Sequence, residues 1–183
     1  MVHFNRISLL IILFASMVSC QKLKPETVAV PEYPDFSVLM EEQIQLLGTS
    51  EVKKVVSLDG NLEERIMQMD SGIWVEELSF MKEVNPNQPE YVGAFEKSSS
   101  NGFEILTLGS GESGSVLLVK YAKTDVSYSN IEVTLHEDKD VYVHHRNVQL
   151  FFEGGVLNRA MIDGYQKVMF KDTIRFSISI EVQ

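Results

Sequence analysis

Three of the four histidines, His136, His144 and His145, stand close together among Glu132, Glu137, Asp138 and Asp140. Imidazole and carboxylate are the donor set of zinc and related metal sites. The flanking runs "NIEVTLHE" and "VYVHHRNVQLFF" read as two strands around an "EDKD" turn. Placing Ile131, Val133 and Leu135 on one face with Val141 and Val143 pairs 135 with 141 and 133 with 143. His136 then lies opposite Asp140. His144 stands on the same outer face, roughly 13 Å farther along at about 3.3 Å per residue, with Glu132 opposite it. His145 points to the other face. Ligands about 2 Å from a zinc ion cannot be gathered from so wide a set. The pattern predicts polar surface histidines, with no metal and no other cofactor.

The other chemistry-bearing stretches are weaker still. "GSGESG" at 109–114 is rich in glycine, yet it lacks the Lys-Ser/Thr ending of a phosphate loop and lies between two strand-like runs. It reads as a hairpin turn. Glu41-Glu42, Glu63-Glu64 and Glu76-Glu77 read as solvated faces, with no companion acid at a glycosidase separation. "DGNLEE" and "EDKD" are too short for an EF-hand loop. The sequence carries no nucleophile elbow, zincin motif, P-loop or dinucleotide fingerprint. No catalytic residue is assigned, and the expectation is that the chain is not an enzyme.

The single cysteine is Cys20. Before it come Arg6, an apolar run from Ile7 to Met17, and the small residue Ser19. Basic, apolar, small-residue order is that of a secretory signal peptide. The apolar run falls short of the about 20 residues that a membrane span needs, and the polar "QKLKPE" comes directly after it. Met17-Val18-Ser19-Cys20 resembles the lipobox of bacterial lipoproteins, with Met17 where that pattern usually has Leu. The resemblance implies cleavage before Cys20 and acylation of Cys20, the one site residue assigned. Each buried acyl CH₂ contributes about 0.8 kcal/mol, so two or three chains anchor durably. A cysteine used in this way leaves no disulfide.

The chain has 16 basic and 26 acidic residues, a formal charge of −10. The leader carries only Arg6, so the chain without its leader is more acidic still. Such a surface repels phosphate backbones, and the prediction is no nucleic-acid partner. Residues 1–19 read as signal peptide. Residues 20–34 read as the lipidated Cys and an extended tether, with three of the five prolines in "QKLKPETVAVPEYP". Residues 35–183 read as a single domain of ordinary size.

The domain opens with "PDFSVLMEEQIQLLG", where Phe36, Leu39, Met40, Ile44 and Leu47 recur at helical spacing after a capping Asp35 and before Gly48. "EVKKVVSLDGNLEERIMQM" reads as a hairpin about Asp59-Gly60. "DSGIWVEELSFMKEVNP" reads as a second helix, with Trp74, Leu78 and Met81 as its core stripe. From residue 90 the pattern is β. Turns are read at Ser-Ser-Asn-Gly, "GSGESG", "EDKD" and Asp163-Gly164, and the last strand alternates from Ile174 to Val182. The predicted fold class is α+β: two N-terminal helices with an intervening β-hairpin, packed on a C-terminal antiparallel β-meander.

"VKKVVSLDGNLEER" together with "DSGIWVEELSFMKEVNPNQP" resembles a group of uncharacterised lipoproteins of Bacteroidota. Those pair a Lys-rich strand and Asp-Gly hairpin with a Trp-x-x-Glu-Leu-x-x-Phe helix, here Trp74, Glu77, Leu78 and Met81 with Phe80 one position early. The resemblance implies compartment and architecture, and no activity. "QKLK" after Cys20 lacks an acidic surface-export run, so the expected location is the cell envelope, anchored in the outer membrane and facing the periplasm. The expected function is a non-enzymatic binding or interaction module whose partner is an envelope protein. The alternative is a carrier of a hydrophobic ligand on a half-open β-barrel, lined by Phe151, Phe152, Met161, Met169 and Phe170.

Overall fold

The structure, a computed structural model, describes residues 32–125 and 127–183. The leader 1–19, Cys20 and tether residues 21–31 lie outside the described residues. Helix α1 is Phe36–Leu47. Asp35 stays extended before it, and its carboxylate accepts the N–H groups of Ser37 at 3.0 Å and Val38 at 3.4 Å. These are donors that a helix start leaves unpaired. Buried Asn85 donates to Asp35 Oδ1 and to Ser37 Oγ, both at 3.0 Å, and so pins the cap to the segment beyond the other helices.

Strands β1 (Ser50–Leu58) and β2 (Asn61–Met69) turn at Asp59 and Gly60, both with positive φ, as a type I′ hairpin requires. Two short helices come next, α2 (Ser71–Glu77) and α3 (Phe80–Glu83), then a 3₁₀ turn at Pro89–Tyr91. The rest is strands: β3 (Phe95–Ser100), β4 (Phe103–Leu108), β5 (Val116–Lys123), β6 (Tyr128–Lys139), β7 (Tyr142–Glu153), β8 (Val156–Val168) and β9 (Ile174–Val182). They make one sheet of order β2-β1-β9-β8-β7-β6-β5-β4-β3, antiparallel at every step.

One face of this sheet is the core. Val52, Val119, Ile131, Val133, Val148, Leu150 and Ile180 are buried with Phe36, Leu39 and Met40 of α1 and with Trp74, Leu78 and Met81 beyond it. Each such side chain contributes about 1.5–3 kcal/mol of apolar burial. Gln43 is the polar exception in α1. It donates to Gly155 O at 3.0 Å and accepts the Leu157 N–H at 2.7 Å, so the helix docks on the β7–β8 turn by specific bonds.

The α+β expectation is overturned. The described residues are mostly β, and the helices among them are short. The N-terminal hairpin is no separate layer between two helices. It belongs to the same sheet, because β1 pairs with β9 from Val52↔Val182 to Leu58↔Phe176. Asp59 N–H donates to Arg175 O at 2.8 Å, and Asp59 Oδ1 accepts Arg175 N–H at 2.7 Å, which closes that seam. The expected second helix is broken. At Leu78-Ser79 the backbone tightens into i→i+3 bonds, Ser79 N–H to Glu76 O and Met81 N–H to Leu78 O. Beyond the break Phe80, Met81 and Val84 are all buried.

Two turns also move. The β6–β7 turn is Asp140-Val141, with Lys139 opposite Tyr142. The apolar run that fixes the register is Val148, Leu150 and Phe152, which are buried, and not Val141 and Val143. Asp163-Gly164 is no turn, since β8 runs straight through it. Gly164 is there for close approach. A Cβ at that position would lie 2.1 Å from His145 O and 3.0 Å from the Phe176 ring.

Candidate functional site

The corrected β6–β7 register rearranges the histidines. Val133 pairs with Val148 where the sequence pattern pairs it with Val143. A shift of an odd number of residues exchanges the faces of His144 and His145. His145, and not His144, stands beside His136 on the outer face, directly across from it, with ring centroids 5.9 Å apart. Glu132 faces Gln149 and not His144. His144 sits on the inner face, opposite Glu137, its ring 6.1 Å from Phe176.

No helix covers the outer face among the described residues. Two cross-strand rows run over it. In the first, Thr134 Oγ1 donates to Asn147 Oδ1 and Asn147 Nδ2 donates to Asp163 Oδ2, each at 3.3 Å. In the second, His136 meets His145, and His145 stacks on Tyr165 at 5.5 Å and 27° between planes. Tyr165 has Arg175 as its β9 partner. Beside this row lies a hollow of about 330 Å³, edged by Ser57, Asp163, Tyr165, Arg175 and Ser177. A stacked imidazole and phenol offer a flat π-surface. A guanidinium, a carboxylate and two hydroxyls around it can fix a planar polar group by hydrogen bonds.

On the inner face a second hollow, about 360 Å³, lies between α3 and the sheet, lined by Glu83, Leu135, Glu137, His144 and Arg146. Arg146 Nη2 donates to Glu83 Oε2 at 2.9 Å, and Tyr142 donates its hydroxyl to Glu137 at 2.8 Å. The His144 pKa is lowered from the ordinary histidine value, first by burial and next by the neighbouring Arg146 charge.

A third hollow, about 410 Å³, sits beside Glu32, where the described chain begins, and is walled by Tyr33, Tyr121, Tyr128, Lys97 and Lys123. Tyr121 donates to Glu104 Oε2 at 2.7 Å. Burial, and then this bond, push its phenol above the usual tyrosine range. Lys123 lies over both Tyr121 and Tyr128, 5.4 and 5.6 Å from the ring centroids.

Sequence reasoning assigns Cys20, which lies outside the described residues, and it treats the histidines as polar surface residues with His136 and His144 on one face. It misses Tyr165, Arg175 and Asp163. The one signal that could have found them is the longer alternation Val148-Leu150-Phe152, which sets the register. The residues suggested as a carrier lining do not come together. Phe152 is in the core, Phe151 and Met161 are on the outer face, and Met169 and Phe170 are exposed past the end of β8. Among the described residues no three His, Cys, Asp or Glu side chains gather as metal ligands. No protein-family model matches this chain, and no curated protein matches it.

Proposed function

We propose that this chain is a lipid-anchored protein of the cell envelope, held through acyl groups on Cys20 in the outer membrane and facing the periplasm, and that it acts as a non-enzymatic binding module. The anchoring half rests on the leader and on the Met17-Val18-Ser19-Cys20 motif. The binding half rests on one observation, the His145–Tyr165 stack beside Arg175 and Asp163 on a sheet face that no described helix covers. Its partner is another envelope protein that presents a planar polar side chain to that stack.

The test is intact mass spectrometry of the protein extracted from native membranes, beside Cys20→Ala, and then cross-linking of wild type and Tyr165→Ala. The reading requires a chain that begins at Cys20 with added acyl mass, and cross-links at the outer face that Tyr165→Ala loses. A wild-type chain without acyl mass ends the anchoring half. Cross-links indifferent to Tyr165→Ala end the binding half.

One observation favours the carrier as a second reading. On the inner face, beyond the helices, Val56, Phe176 and Ile178 are half-buried, and Leu58 and Ile174 are exposed beside them. A hydrophobic ligand held there would be retained in mild native mass spectrometry and lost with Phe176→Glu.

A further inference from the structure

The sheet has two edges, and they are built differently. Among the described residues β2 and β3 each have one strand neighbour. Beyond Phe95, the β3 edge is short and polar, reading Glu96-Lys97-Ser98-Ser99-Ser100, the usual protection against strand addition. The β2 edge is longer and exposes two large aliphatic side chains, Leu62 at 68% and Ile66 at 63%. We propose that β2 is a self-association strand, and that two copies of this chain pair antiparallel through it about a two-fold axis at Glu64.

The backbone fixes which residues can meet. The two-residue turn makes Leu58 and Asn61 a hydrogen-bonded pair. By alternation, the N–H and C=O groups of Leu62, Glu64 and Ile66 point away from β1, toward the open edge. A two-fold axis perpendicular to the sheet keeps outer residues against outer residues. Even-numbered positions must therefore meet even-numbered positions.

Among such registers the one centred on Glu64 is self-complementary. On the outer face, Leu62 of each copy meets Ile66 of the other, so both exposed aliphatic pairs are covered. On the inner face, Glu63 of each copy meets Arg65 of the other. Glu63 and Arg65 already form an ion pair within their own strand, so the four make an alternating square of charge. The central Glu64 meets its own symmetry mate, and Lys53 neutralises each copy at 2.9 Å. Centring on Glu63 sets Leu62 against Glu64. Centring on Arg65 sets Arg65 on itself and Ile66 against Glu64. An isologous contact of this kind closes at two copies.

The test is sedimentation of the full chain in detergent, for wild type, Glu63→Arg and Arg65→Glu. Wild type should be a dimer. Each variant alone sets like charges across the interface and should sediment as a monomer at concentrations where wild type is dimeric. Mixed, the two variants restore both ion pairs and should form a mixed dimer, an outcome that a misfolded chain cannot give. A second measurement uses Glu64→Cys, which places two thiols on the axis within disulfide reach and should give a reducible dimer in native membranes. A monomeric wild type, a dimer indifferent to both charge reversals, or a mixture that stays monomeric would overturn the proposal.

Discussion

His136 and His145 are direct partners across β6 and β7, and His136 sends its N–H the other way, to Ser115 O at 2.8 Å. The pair therefore does not exchange backbone bonds, and it belongs to the closer of the two antiparallel spacings, about 4.5 Å between Cα atoms. A His136→Cys/His145→Cys double variant should form an intramolecular disulfide on mild oxidation, read by mass before and after reduction. The register that pairs His136 with Asp140 gives no such bond.

Gly164 admits the backbone of β7 and the ring of Phe176 on the side where any other residue has a Cβ. Gly164→Ala should cost about 1–3 kcal/mol, at the upper end because backbone His145 O cannot step aside. Denaturant unfolding monitored by the fluorescence of Trp74 measures it, since the only tryptophan is fully buried. A midpoint equal to wild type would contradict the close approach.

Gln43 satisfies one carbonyl and one N–H on the β7–β8 side. Gln43→Leu keeps the bulk and strands both groups, at about 1–3 kcal/mol for each buried group left unpaired. Hydrogen exchange at Leu157 should accelerate in that variant before exchange in the sheet centre does.

His144 gives the fold a pH dependence of definite sign. Its folded pKa lies below the ordinary 6.5, so the unfolded chain binds the proton more readily. The stability tied to the neutral ring is whole above about pH 6.5 and is lost as pH falls toward and through the lowered value. Urea midpoints between about pH 7.5 and 5 should fall less steeply in His144→Gln than in wild type. Identical slopes would refute the assignment.

What the sequence disclosed was local. Asp35 as a cap, Gly48 as a stop, the Asp59-Gly60 turn and the alternation from Ile174 to Val182 each depend on a few neighbouring residues, and each stands in the structure where the pattern placed it. What it did not disclose depends on distant residues. The pairing of β1 with β9 joins Val52 to Val182, and no local pattern announces it. The β6–β7 register escapes a local reading because Val141 and Val143 lie nearer the turn than Val148 and Leu150, and burial favours the latter pair. The candidate site inherits that error. Tyr165 and Arg175 meet His145 only through two further strand pairings.

The seam between β1 and β9 also orders events in time. Among the described residues the first strand, β1, has its inner neighbour in the last, β9. Strand β1 is delivered well before Ile174–Val182, so until β9 follows it β1 has β2 alone and its other side waits. Contacts so far apart along the chain form slowly, because their loop-closure entropy is met before any bond rewards it. The emerging chain thus carries an unsealed strand until β9 arrives, and whatever shields β1 during that interval governs how much protein reaches the folded state.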